Sequence, residues 1–266
     1  MTIRPRLAST VMLIRDLPAG VSSLEVFMVR RVVQSEFMPD VYVFPGGSVS
    51  MDDCSAEETL GLCAQVPSSL DTDPQGRTTL GTGTRVAAIR ELFEEANVLL
   101  AYHDKLLLAI DQQRTEHFDA YRQALNQRQG SLLEMARRER LVLATDQLIY
   151  CAHWITPEDL PKRYDTHFFL AKAPAQQEAI YDQLETSDGV WIEPETALER
   201  FAAGTFPIAF PTYHQLRALS AFSGTEEALQ TAALHPIATQ QPRLKEVDGV
   251  PHVYLPGEPE HLWSIR

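Results

Sequence analysis

Three glutamates, Glu91, Glu94 and Glu95, follow Arg90 in the stretch Arg85-Val86-Ala87-Ala88-Ile89-Arg90-Glu91-Leu92-Phe93-Glu94-Glu95-Ala96-Asn97-Val98. At about 100° per residue on a helix, the three carboxylates share an arc of about 100°. Val86, Ile89, Phe93, Ala96 and Leu100 fall on the opposite side and form a core stripe, with Leu92 at its edge. Like charges placed so closely repel and weaken a helix. A hard divalent cation, which takes oxygen ligands, removes that repulsion. The plainer reading is a solvated acidic face, partly neutralised by Arg90 and Glu94 at i,i+4. Ala87 and Ala88 lie on the carboxylate arc one turn earlier and leave room for a loop or ligand.

The segments around this helix must position it. Phe44-Pro45-Gly46-Gly47 ends a short predicted strand, Val41–Phe44. Paired glycines there permit a backbone turn that side chains forbid. Asn97 stands where the helix must stop, and Asn readily takes the left-handed conformation of a helix end.

Residues 8–15 and 24–33 are rich in strand formers and read as paired strands across Asp16-Leu17-Pro18-Ala19-Gly20. Residues 54–83 mix a helix-like stretch, Ser55–Gln65, with turn formers such as Asp73-Pro74-Gln75-Gly76. Residues 104–140 are polar and helix-prone, with Gly130 as a break, and read as two or three helices. Strands are expected at Leu148–Thr156, Tyr164–Ala171 and Gly189–Glu193. Helices are expected at Pro194–Ala203, closed by Gly204, and at roughly Thr212–Phe222. Asp248-Gly249 between two apolar runs predicts a hairpin in the tail. Strands separated by helices imply an α/β fold, a mixed β-sheet with helices on its faces.

The chain has 266 residues, enough to bury a core without disulfides or structural metal. It reads as one domain, 1–266, with insertions at 54–83 and 104–140 and a tail at 234–266. Its net charge of −13 argues against non-specific nucleic-acid or anionic-membrane binding. Cys54, Cys63 and Cys151 are odd in number and irregularly spaced, which predicts reduced thiols. No stretch reaches the roughly 20 apolar residues of a membrane span and no leader pattern opens the chain, so a cytoplasmic location is expected.

At this point the sequence resembles the Nudix hydrolases. Their box reads Gly, five residues, Glu, seven residues, then Arg-Glu-apolar-x-Glu-Glu-x-Gly-apolar. Gly47 matches the opening glycine and Arg90 to Val98 the closing half, with Asn97 in the glycine slot. Asp53 stands where the box has Glu, and 36 residues separate it from Arg90 where the box has seven. The excess is expected to loop out between the glycine turn and the helix. A branch of the family, that of nucleoside diphosphate-linked moiety X motif 19, is similar in carrying such an insertion and a helical segment after the box. The resemblance extends to His153–Pro157, Arg163–Phe169, Val190–Pro194 and Leu255–Gly257, about residues 8–258.

That resemblance implies a Nudix α/β/α sandwich and hydrolysis of a small-molecule diphosphate, with Mg²⁺ or Mn²⁺ held by Glu91, Glu94 and Glu95 and a carbonyl of Gly46 or Gly47. Characterised members of the branch cleave coenzyme A and acyl-coenzyme A. The competing readings are ADP-ribose or dinucleotide cleavage and a non-catalytic nucleotide-binding module. Arg90 is expected to orient a carboxylate. Glu185, slightly ahead of Glu178, is the candidate general base, although an exposed loop carboxylate is the commoner state. Arg30 and Arg31 end a strand and could meet phosphate or serve as edge charges. A signature common among coenzyme A diphosphatases asks for Arg and Gly where this chain has Glu36 and Asp40; only Arg31 agrees with it. His153 and His167 are expected as satisfied strand histidines. Tyr164, Phe168 and Phe169 are expected in the core or on an adenine, and Trp154 and Trp191 in the core. A homodimer is compatible with the sequence.

Overall fold

The computed structural model describes residues 3–17, 23–35, 38–67, 80–258 and 263–264. In chain order the elements are β1 (Arg6–Asp16), β2 (Leu24–Arg31), β3 (Tyr42–Val43), β4 (Gly46–Ser48), α1 (Met51–Glu58), α2 (Thr84–Ala96), β5 (Ala101–His103), β6 (Leu106–Leu107), α3 (Gln112–Asn126), α4 (Leu132–Arg138), β7 (Val142–Leu143), β8 (Ile149–Ile155), β9 (Tyr164–Lys172), β10 (Thr186–Ile192), α5 (Pro194–Ala202), α6 (Phe210–Leu219), α7 (Thr225–Leu234), β11 (Thr239–Gln240), β12 (Arg243–Val247), β13 (Val250–Tyr254) and β14 (Trp263–Ser264).

The main sheet runs β10-β2-β1-β9-β8-β11, with β3 beside β2 and β4 beside β1. It is mixed: β1 lies parallel to β9 and antiparallel to β2 and β4. Alternation along the central strands sorts their side chains into two cores. Val11, Leu13, Phe27, Val29 and Phe169 pack with Ile89, Phe93 and Ala96 of α2, and with Phe118 and Leu125 of α3 and Met135 of α4. Met12, Ile14, Val26, Met28, Phe168 and Leu170 pack with Ala197 of α5, Leu216 of α6 and Ala228 of α7. Both faces of the sheet are covered, so the central strands are apolar on both sides. The result is an α/β/α sandwich.

Several expectations shift in register. The helix read at Ser55–Gln65 lies at Met51–Glu58, because Ser50 caps it: Asp53 N–H donates to Ser50 Oγ, and Asp53 accepts from Ser50 N–H. The segment after it does not simply loop out. Ala56 and Leu62 are core residues, and Ala64 N–H donates to Leu143 O at 2.9 Å. Asp73-Pro74-Gln75-Gly76, Glu36 and Pro18-Ala19-Gly20 lie outside the described residues. Residues 104–140 hold two helices, α3 and α4, on either side of Gly130. In the tail, Asp248 (φ 52°) and Gly249 (φ 78°) turn β12 into β13, as a two-residue hairpin requires. The helix α7 was not expected. Its first turn is held by Asp16, which accepts from Thr225 N–H at 2.8 Å and from Thr225 Oγ at 2.9 Å. Phe168, Phe169 and Trp154 are buried, Trp191 is half-buried against Phe27, and Tyr164 is half-buried on β9. No helix among the described residues is long and apolar enough to cross a membrane.

Candidate active site

The helix α2 carries the acidic cluster, and its sequence explains where it starts and stops. Gly83, at φ 85°, precedes its first turn. Asn97 closes it at φ 59°, with Asn97 N–H donating to Phe93 O and Val98 N–H to Leu92 O, a left-handed C-terminal cap. Ala87 and Ala88, read as open ground for a ligand, are fully buried. Their small size serves close packing of the helix on β1 and β4.

The two glycines are needed for space rather than for conformation. Neither Gly46 nor Gly47 has a positive φ. They form β4, paired through Gly47 to Ser9 and through Gly46 to Thr10. A Cβ at Gly46 would meet Ser9 O at 2.4 Å. A Cβ at Gly47 would meet Glu91 Oε1 at 2.3 Å. The expectation of a turn is therefore corrected: the glycines let β4 lie against both β1 and the acidic face of α2. From this strand Gly46 N–H donates to Glu95 Oε2 at 2.9 Å.

Arg90 is the hub of the cluster. Its Nε donates to Asp53 Oδ1 and its Nη2 to Asp53 Oδ2, both at 2.9 Å, in a two-pronged pair. Nη1 donates to Glu91 Oε1 at 2.8 Å and to Glu94 Oε2 at 3.1 Å, and Nη2 also donates to Ser48 O. Asp53 is completely buried, and also accepts from Ser50. The acid at the box's Glu position, 37 residues before Arg90 instead of eight, thus anchors the arginine of α2. Burial works against the Arg90 charge, but Glu91, Asp53 and Glu94 outweigh it and keep the guanidinium protonated.

One arginine does not balance four carboxylates. Burial pushes Glu94 up to about 7, with Glu91 adding to the rise and Arg90 opposing it. Burial also raises Glu91, against Arg90, and raises Glu95 well above the ordinary carboxylate range, with Glu91 adding to it. Anionic oxygens forced together in low dielectric call for a compensating cation. The donors are all oxygen, which suits a hard divalent ion. The residues present therefore fit the metal that the box implies.

Arg31 and Arg30 separate at the end of β2. Arg31 shares the α2 face with Val29, and its charge opposes the rise of Glu95. Arg30 points to the other face, paired with Asp40 at 2.9 Å and 5.5 Å from the centre of the Tyr42 ring. The structure thus brings Arg31 to the cluster and leaves Arg30 away from it. Glu185 is exposed just before β10, where its backbone carbonyl accepts from Val32 N–H. Its charge adds to the rise of Glu91 and of Glu95. Glu178 is exposed seven residues earlier.

Arg122 escaped the sequence reading. From α3 its Nε donates to Glu94 O at 2.9 Å, and its Nη2 donates to Ile180 O at 2.7 Å. Ile180 N–H donates in turn to Ala96 O. Arg122 therefore satisfies a carbonyl left over at the end of α2 and ties it to the loop that leads to Glu185. Nothing in a polar helix signals a side chain aimed at a distant backbone carbonyl.

Fold and site are those of a Nudix hydrolase. The chain belongs to the NUDT19 Nudix domain family, which matches residues 71–219, more than half of its length. It is 26% identical to the acyl-coenzyme A diphosphatase NUDT19 of Xenopus laevis over 89% of this chain and 71% of that protein. With the Gallus gallus protein of the same name it is 28% identical over 79% of this chain, spanning 65% of that relative's length. A crystal structure of a Nudix hydrolase from Alicyclobacillus acidocaldarius superposes with a TM-score of 0.64 at 26% identity, covering 88% of this chain and 99% of that one.

Proposed function

We propose that this chain hydrolyses the diphosphate of coenzyme A or an acyl-coenzyme A, a small-molecule substrate, with Mg²⁺ or Mn²⁺ as cofactor. The observation that carries the reading is the convergence of Glu91, Glu94 and Glu95 against Gly46 and Gly47, with Arg90 as the cation that pairs with the cluster. The name borne by the Xenopus and Gallus relatives supports the substrate. Glu91, Glu94 and Glu95, with a Gly47 carbonyl, would hold the metal. When bound, it supplies charge to neutralise the phosphoryl oxygens and to activate water.

The chain's own residues do the rest. Arg90 holds Glu91 and Glu94 in place from behind, itself fixed by Asp53. Arg31 offers a positive charge to the entering phosphates. Glu185, exposed before β10 and felt by Glu91 and Glu95, accepts the proton of the attacking water as its oxygen bonds to phosphorus and the bridging oxygen leaves. Cleavage of coenzyme A in this way gives phosphopantetheine and an adenosine bisphosphate.

The test is incubation of the protein with Mg²⁺ and a panel of coenzyme A, acyl-coenzyme A, ADP-ribose and dinucleotides, with products identified by mass. Phosphopantetheine or its acyl form is the expected product, and Glu94→Gln and Glu95→Gln should each abolish it while the protein stays folded. Turnover of ADP-ribose alone would overturn the substrate, and binding without turnover would overturn the catalysis.

A further inference from the structure

We propose that His153, Asp165 and His167 form a second cation site, suited to a borderline transition ion such as Zn²⁺ and separate from the glutamate cluster of α2. The three side chains arise from adjacent strands. His153 of β8 lies directly opposite His167 of β9, and Asp165 is two residues before His167 on the same face. The two imidazoles stack with centroids 4.4 Å apart and planes 11° apart. One potential ligand atom from each residue lies within 4.8 Å of the others.

The orientation of the rings is set from outside. His153 Nδ1 meets Thr239 Oγ1 at 2.8 Å, and His167 Nδ1 meets Tyr150 OH at 3.0 Å. With Nδ1 engaged by a hydroxyl, each ring turns Nε2 inward, the arrangement that outer-shell partners impose on metal-bound histidines. Both Nε2 atoms face one carboxylate oxygen, Asp165 Oδ1, at 2.5 Å from His153 and 3.7 Å from His167. The longer separation exceeds a hydrogen bond, so the carboxylate bonds one ring and not both. Tetrahedral Zn²⁺ with bonds of about 2.0–2.1 Å sets its ligand atoms about 3.3 Å apart, a spacing that the two observed distances bracket. The lone pair of each imidazole lies in its ring plane, so closing on an ion also requires the two stacked rings to rotate toward one another out of their near-parallel arrangement.

The donor set is two nitrogens and one oxygen, which selects a different class of ion from the all-oxygen cluster of α2. The sites are also apart. His167 lies across from Ser9 of β1, which donates to Thr84 O in the first turn of α2. Glu91, the nearest glutamate of the cluster, is seven residues further on, about 10 Å along the helix. Asp165 is 30% exposed and gives the ion a way in, while both imidazoles are buried. Thr239 belongs to β11, so occupancy would also fasten the start of the C-terminal tail to the sheet.

The test is titration of the full chain, freed of metal by a chelator, with Zn²⁺ by calorimetry and with Co²⁺ by visible absorption. With excess Mg²⁺ present to fill the glutamate cluster, one equivalent of Zn²⁺ is expected to bind to the wild type and equally to the Glu91→Gln/Glu94→Gln/Glu95→Gln triple variant. His153→Ala and His167→Ala should weaken it at least 100-fold. Tyr150→Phe and Thr239→Val, which keep the ligands, should weaken it about 10–100-fold. X-ray absorption of the wild-type zinc form should show two imidazoles, a readout that needs no variant to fold. Absence of Zn²⁺ binding below millimolar concentration, unchanged affinity in His153→Ala, or loss of binding in the triple glutamine variant would each overturn the proposal.

Discussion

Replacing Asp53 by Asn probes the anchor of α2 directly. Asp53 is fully buried, and both of its oxygens take charge-assisted hydrogen bonds of 2.9 Å from Arg90. Asn keeps the shape but removes the charge and turns two N–H groups toward a cation. Removing one partner of a buried ion pair costs about 3–5 kcal/mol. Arg90 retains Glu91 and Glu94, which places the expected loss near the lower end, about 3 kcal/mol. At roughly 2–4 °C per kcal/mol for a chain of this size, the melting temperature should fall by roughly 6–12 °C. Activity should fall further than stability. Freed from Asp53, the guanidinium follows Glu91 and Glu94, and a displacement of about 1 Å in such a site costs about 10²-fold in rate. Thermal melts and urea titration give the first quantity, and initial rates at saturating substrate and Mg²⁺ give the second. A variant that melts within about 1 °C of the wild type and turns over normally would refute the claim that Asp53 holds Arg90 in place.

Three further outcomes are expected. Gly47→Ala drives a methyl group into Glu91; it should destabilise the fold by about 1–3 kcal/mol and lower turnover, as measured by melting and rate assays. Arg122→Gln should lower kcat with little change in KM, because it releases Glu94 O and Ile180 O without touching the substrate; an unchanged kcat would contradict the tie. The Asp16 carboxyl is held below its ordinary range, first by the Thr225 N–H. Its contribution is therefore present above the unfolded-state pKa and disappears as pH falls through the lower folded value. Asp16→Ala should cost about 1 kcal/mol at pH 7, and urea titrations should show the gap from wild type closing in acid.

The acidic helix α2 and its neighbours were legible because short-range rules govern them. Asn97 ends α2 as its chemistry suggests, Pro194 opens α5, and Asp248-Gly249 turns the tail hairpin. What was not legible depends on residues far apart in the chain. Gly46 and Gly47 read as a turn, but the strand conformation they adopt is dictated by how close Ser9 and Glu91 lie. Asp53 read as a weakened box position, and only the folded chain brings it to Arg90, 37 residues later. Arg30 and Arg31 read alike, and the pleat of β2 sends them to opposite faces. Arg122 acts on backbone oxygens, which no pattern of side chains reveals. Residues 54–83, with a helix-like stretch at Ser55–Gln65, read as an insertion that loops out, because the contacts of Leu62, Cys63 and Ala64 are made with β7, some eighty residues further on.

The fork between Arg90 and Asp53 has a consequence for how this protein can change over evolutionary time. It staples the two flanks of the expanded motif to one another, and Gly83 N–H donating to Glu57 adds a second stitch at the same place. Once the flanks are fastened, the entropy of the span between them grows only logarithmically, about 0.6 kcal/mol for each doubling of its length. Sequence can accumulate beyond Ala64 at small thermodynamic cost while Leu62 and Ala64 keep their places against β7 and the acidic cluster stays in register. The enlarged box is a place where the lineage can add new surface beside the acidic cluster.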